Sequence, residues 1–161
     1  MAKLPIVHYP ADILEKECAR VRDFNKELKQ LVKDMYETMI QADGVGLAAP
    51  QVGADLQVAV VETDPEVGFI TLINPVIVES KGKQTDVEGC LSFPGVYGYV
   101  TRASYIKVKA QDIKGRYFLL EAQDFLARAI QHEIDHLHGI LFTAKVEEYI
   151  EEEKLEKEGA E

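Results

Sequence analysis

Along residues 24–41, "FNKELKQLVKDMYETMIQ", apolar side chains fall at Phe24, Leu28, Leu31, Val32, Met35, Tyr36 and Met39. Steps of three and four predict a helix with one buried face. Asp23 stands as its N-cap, and Gly44, just past the end, as its stop. The pattern then becomes rich in branched residues. "LQVAVVETD" (56–64) and "FITLINPVIVES" (69–80) predict strands, and "YIKVKAQD" (105–112) and "RYFLLEA" (116–122) flank "IKG" as a hairpin turn. Helical spacing returns over about 123–138, with Gly139 as the stop. The predicted order is helix, several strands, helix. With no regular strand–helix alternation, the fold class is α+β: a mostly antiparallel sheet packed around a central second helix.

The last sixteen residues, "VEEYIEEEKLEKEGAE", hold eight glutamates and two lysines, a net of −6 out of −10 for the whole chain. They predict an acidic, solvated tail helix over about 146–161. The 161 residues suit a single domain, 1–161. The opening "MAKLPIVHYP" lacks the apolar run of a signal peptide, and no segment approaches membrane-spanning length. Cys18 and Cys90 cannot make a disulfide framework and suit a reducing cytoplasm. With no basic patch, nucleic-acid binding is not expected.

The second helix carries "QHEIDHLHG" (131–139), an H-E-x-x-H pattern. Positions four apart share a helix face, so His132 and His136 can aim at one point. Glu133 sits one step round, within reach of a water on the metal. Phe125, Leu126, Ala129, Ile130 and Ile134 surround the motif, so most of this helix is packed. Buried histidines and a buried glutamate are costly unless paired or metal-bound. A hydrolytic site of this type needs a third protein ligand. The extended metalloprotease pattern would place a histidine where the chain has Phe142. His138 falls on the far side of the helix. Cys90, in the glycine-rich "VEGCLSFPGVYG" (87–98), is the remaining candidate. Pro94 and Gly95 signal a turn beside it. Cys18 reads as an inert packed cysteine.

The stretch "GVGLAAPQVG" (44–53) matches a dinucleotide fingerprint in letters only. It follows a helix instead of a strand, and Pro50 stands where a helix should run. Gln51 offers a neutral carboxamide that suits an oxyanion hole, or else bonds its own loop.

Three segments, "GVGLAAPQ" (44–51), "EGCLS" (88–92) and "QHEIDH" (131–136), together resemble the peptide deformylases, and the resemblance runs to about residue 146. It implies a metal-dependent hydrolase that removes the formyl group from the N-terminal formylmethionine of new polypeptides. The implied partners are N-formylmethionyl peptides, met as nascent chains at the ribosome. It implies Cys90, His132 and His136 as metal ligands, Glu133 as proton shuttle, and the Gln51 side chain with the Leu91 backbone N–H as oxyanion donors. The implied ion is Fe²⁺, with Zn²⁺, Ni²⁺ or Co²⁺ as substitutes. Gly46 and Gly89 would let an extended peptide lie alongside, and Val45, Phe125 and Ala129 would line a methionine pocket. The resemblance favours a Glu88–Arg102 pair, which the residues alone leave open against separate solvation; Asp135 either orients a ligand histidine or is an exposed helix residue, and Arg128, one turn before His132, is placed at the pocket mouth. The alternative is a metallopeptidase of the H-E-x-x-H type.

Overall fold

The structure, a computed structural model, describes residues 3–150. Helix α1 runs Lys26–Gln41. Its cap is Asn25, whose side-chain oxygen accepts from the Leu28 N–H at 3.0 Å, so the helix starts two residues later than an Asp23 cap would place it. At its other end Asp43, not Gly44, takes the left-handed conformation, with φ 57°. Aspartate tolerates that region better than most residues. Gly44 has a different constraint, because a Cβ there would meet Leu91 Cδ1 at 2.8 Å.

Eight strands follow in chain order: β1 Gly46–Ala48, β2 Val58–Val61, β3 Ile70–Lys81, β4 Gln84–Cys90, β5 Phe93–Arg102, β6 Tyr105–Gln111, β7 Tyr117–Gln123 and β8 Val146–Ile150. They form two sheets, ordered β1-β2-β3-β6-β7 and β4-β5-β8. All of these pairings are antiparallel. The predicted hairpin joins β6 to β7, closed by Asp112, whose carboxylate accepts the Lys114 and Arg116 N–H groups.

The unbroken apolar run of β2 has a simple cause: the sheet has a helix on each face. Ala59 and Val61 pack toward helix α2 (Asp124–Leu137), beside Ile130, Ile134 and Leu137. Val58 and Val60 pack toward α1, beside Met35 and Met39. A strand covered on both sides loses the apolar–polar alternation of a half-exposed one. The motif helix is therefore a core element, and its face toward the second sheet forms the site.

Two expectations are corrected. Residues 146–150 form β8, pairing with β5 across Tyr97↔Ile150 and Gly98↔Tyr149, where an acidic helix was expected to begin. The backbone partner offered by β5 outweighs the helical preference of the glutamates. The rest of the expected tail helix lies outside the described residues. Pro94 and Gly95 do not turn the chain. Leu91 and Ser92 do that, and the register jumps from Gly89↔Tyr97 to Cys90↔Phe93. Pro94, Gly95 and Val96 are the extra residues of a bulge, with Gly95 at φ 75°.

Candidate metal centre and active site

His132 and His136 lie one turn apart on α2, with ring centroids 5.0 Å apart. Cys90, the last residue of β4, lies opposite the bulge of β5 and comes close to them. Its Sγ lies 3.3 Å from His136 Nε2. The three donor atoms all fall within 4.8 Å of one another. Zinc–sulfur and zinc–nitrogen bonds at a tetrahedral angle separate the two ligand atoms by roughly 3.6 Å. The donor set and its spacing thus fit a single divalent ion. Phe142, where the extended protease pattern has a histidine, is buried with its ring 5.8 Å from that of His132. His138 faces outward and meets Glu17 at 2.8 Å. Cys18 is buried in the core, and burial pushes its thiol up to about 11.

Each histidine has a distinct environment. His136 is fully buried, and burial, helped by nearby His132 and Arg102, holds its proton affinity well below the usual range. It is therefore the neutral imidazole that a metal requires. His132 is also buried. Burial works against a proton there, but hydrogen bonds to Cys90 and Glu88 outweigh it and raise His132 to about 10.

The group that orients His132 is Glu88, not Asp135. Glu88 Oε1 lies 2.9 Å from His132 Nδ1, which leaves Nε2 free for an ion. Arg102 forks onto Glu88, Nε to Oε2 at 2.5 Å and Nη2 to Oε1 at 2.8 Å. This is the expected Glu88–Arg102 pair. Burial opposes the charge on Glu88, but the bonds from His132 and Arg102 prevail and hold it at about 2. Asp135 bonds Arg102 and Lys145, each at 2.9 Å. Arg128, expected at the mouth, is buried and donates to Glu88 Oε2 at 2.5 Å and to the Gln84 carbonyl at 3.0 Å. Sequence reasoning missed its link to Glu88, and spacing gives no sign of a contact 40 residues away.

Glu133 is buried, and its Oε1 has no hydrogen-bond partner among the described residues. Burial raises it to about 7. The missing side chain of Gly46 leaves room for it: a Cβ there would lie 2.4 Å from Glu133 Oε2. Gln51 is fully buried and does two things. Its Oε1 accepts the Ala48 N–H at 2.9 Å, while Nε2 points to Cys90 Sγ at 3.4 Å and Ser92 Oγ at 3.2 Å. The loop bond thus fixes the carboxamide with its donor end toward the donor cluster.

A cavity of about 340 Å³ opens onto this arrangement. Val45, Gly46, Gly89, Leu91, Phe125 and Ala129 all border it, as do Gln51, Cys90, His132 and Glu133. Val45 and Phe125 are exposed at its rim, and Ala129 is buried. The space a Gly89 side chain would need is taken by the Tyr97 ring, 2.6 Å from the Cβ position. Among the described residues, no helix is long and apolar enough to cross a membrane.

Residues 3–152 match the family model described as Polypeptide deformylase. The chain is 64% identical to peptide deformylase 1 of Bacillus cereus over 156 residues, covering 97% of this chain and 100% of that one. It is 54% identical to peptide deformylase 1 of Bacillus subtilis, covering 96% and 97%. Among solved structures it is similar to the Thermotoga maritima peptide deformylase, with TM-score 0.86, 39% identity and coverage of 89% and 97%. The Synechococcus elongatus enzyme in complex with actinonin gives TM-score 0.87 and 42% identity, with coverage of 97% and 86%.

Proposed function

The chain belongs to the peptide deformylase family, metal-dependent hydrolases that remove the N-formyl group from nascent polypeptides, and from that premise we propose how its residues divide the work. Cys90, His132 and His136 hold the ion. Glu133 is the proton carrier, and Gln51 Nε2 and the Leu91 backbone N–H receive the oxyanion. The observation that carries this reading is the meeting of three donor atoms within 4.8 Å beside a buried carboxylate with an unbonded oxygen.

A divalent ion in such a site lowers the pKa of water from 15.7 to about 7 and polarises a carbonyl. The protein supplies the rest. Glu133 takes a proton from the attacking water as its oxygen bonds to the formyl carbon. The carbonyl electrons move onto oxygen, where Gln51 and Leu91 donate hydrogen bonds, each worth about 3 kcal/mol. Glu133 then gives the proton to the amine as the C–N bond breaks, releasing formate. Gly46 and Gly89 flank the path of an extended peptide, and Val45, Phe125 and Ala129 take its first side chain.

Fe²⁺ is the native ion in this reading, and Zn²⁺, Ni²⁺ and Co²⁺ suit the same donors. The substrate is met as a nascent chain at the ribosome, in the cytoplasm. An N-formylmethionyl dipeptide and a peptide with only an internal bond separate this reading from a metallopeptidase. Formate release from the first is expected, and cleavage of the second alone overturns the assignment.

Two further results are expected. Because Glu133 must be ionised to accept a proton, kcat/KM rises with pH along its titration, from an acidic limb at or below about 7. Positive charge arriving in the site moves that limb lower. A rate that falls as pH rises over the same range contradicts the base role. Gly46→Ala pushes the Glu133 carboxylate aside, because the added carbon overlaps it. A displacement of about 1 Å costs on the order of a hundredfold in kcat. Metal content, measured on the same sample, stays unchanged.

A further inference from the structure

We propose that Arg128 is a positioning residue for the metal centre: by bonding two residues of β4 from one point on α2, it fixes the slide of the strand along the helix and so presets where Cys90 meets His136. The proposal rests on the reading that Cys90, His132 and His136 hold the ion.

The strand and the helix run side by side, and their polar contacts keep step. The Gln84 side-chain amide donates to the Asp124 carbonyl at 2.7 Å, Glu88 Oε1 lies 2.9 Å from His132 Nδ1, and Cys90 Sγ lies 3.3 Å from His136 Nε2. From Gln84 to Glu88 a strand rises about 13 Å, and from Asp124 to His132 a helix rises about 12 Å. From Glu88 to Cys90 and from His132 to His136 the rises are about 7 and about 6 Å. The three contacts therefore form a ladder in register. Arg128 stands midway between Asp124 and His132, and its arms reach both ways, Nη1 to Glu88 Oε2 at 2.5 Å and Nη2 to the Gln84 carbonyl at 3.0 Å.

Apolar packing does not hold this register. β4 lies at the edge of its sheet, and "QTDVEGC" has only Val87 and Cys90 as apolar residues. A slide of one strand residue, about 3.3 Å, takes Cys90 away from His136. The other ties are less able to prevent it. The bond from Gln84 to Asp124 is exposed, where water competes for both partners. His132 is itself a ligand, so a strand held from the helix by it alone turns the imidazole as it moves. The Arg102 side chain ties Glu88 to Asp135, but it grips β4 at that one residue. Arg128 is buried, its planar fork is rigid, and it grips β4 at two residues.

The test loads the full-length chain with Co²⁺ and titrates it with a competing chelator, following the cobalt–thiolate absorption band. Wild type, Arg128→Met and Arg128→Lys are compared at a temperature where thermal scans show each to be folded. Arg128→Met binds Co²⁺ about 10–100-fold more weakly and with a weaker thiolate band, the size of effect expected when a group supporting a metal ligand is removed. Arg128→Lys keeps the charge without the fork and recovers only part of the affinity. Unchanged affinity and band in Arg128→Met, beside a lowered Tm, make the residue merely structural and overturn the proposal. Full recovery in Arg128→Lys overturns it too, because charge alone then suffices. If Arg128→Met does not fold, Arg128→Lys and Gln84→Ala decide. Gln84 does not border the cavity, and losing its neutral bond to Asp124 weakens Co²⁺ binding by about 2–10-fold. Unchanged binding in both variants overturns the proposal. Absence of the thiolate band from the wild type instead sinks the underlying ligand reading.

Discussion

Glu133→Ala abolishes turnover and leaves the ion in place. The proposed ligands are Cys90, His132 and His136, and none of them bonds Glu133 in the structure. Removing its carboxylate takes away a proton carrier and no proposed ligand. A positioned acid–base group contributes about 10²–10⁴-fold. Glu133 is asked to act twice, on the attacking water and on the leaving amine, so the upper part of that range is expected. Its burial has an energetic consequence too. A carboxyl raised to about 7 folds more readily when protonated, so its ionisation destabilises the ion-free protein as pH rises from about 4.5 through 7. Alanine removes that penalty, and the variant is expected to be no less thermostable than the parent at neutral pH. Formate release and metal analysis on one preparation check both halves. Loss of the ion with the activity would make Glu133 a ligand and reverse the assignment.

Glu88→Ala produces the largest loss of stability of any substitution near the site. It removes the common acceptor of Arg102, Arg128 and His132 and leaves two guanidinium groups buried. Breaking a buried pair from one side costs about 3–5 kcal/mol. For a chain of this length that is a fall of roughly 6–20 °C in Tm. Glu88→Gln keeps the shape and loses the charge, so its melting point falls between the two. The pH dependence has a definite sign. Glu88 is held at about 2, below its ordinary 4.5, so its contribution is present above about 4.5 and lost as pH falls toward 2. Scanning calorimetry at pH 7 and below measures it. An unchanged Tm in Glu88→Ala contradicts the burial argument.

Much of the architecture is legible in the chain because packing leaves a periodic trace. Helix α2 and strands β2, β3, β6 and β7 carry dense apolar runs. Strands β4 and β5 do not: "QTDVEGC" and "FPGVYGYVTR" are mixed in polarity and rich in glycine. Their pairing comes from backbone bonds and a bulge, neither of which spacing reveals. β8 carries glutamates and pairs through β5, a partner some fifty residues earlier, so local preference pointed to helix. The same division holds at the site. The two motif histidines could be placed on one face from a helical turn alone. Assigning His132 to Glu88 required knowing that β4 lies against α2, and Asp135 was the nearer carboxylate in sequence. Gly46 was read as room for a peptide. In space, its missing side chain is room for Glu133.

X-ray absorption at the metal edge of anaerobically purified protein tests the central claim most directly. One sulfur, two imidazole nitrogens and one exchangeable light atom are expected, at about 2.3 Å for the sulfur and about 2.0–2.1 Å for the nitrogens once the site is loaded with Zn²⁺, with the sulfur lost in Cys90→Ala. A first shell without sulfur, or one closed by a fourth protein ligand, contradicts it.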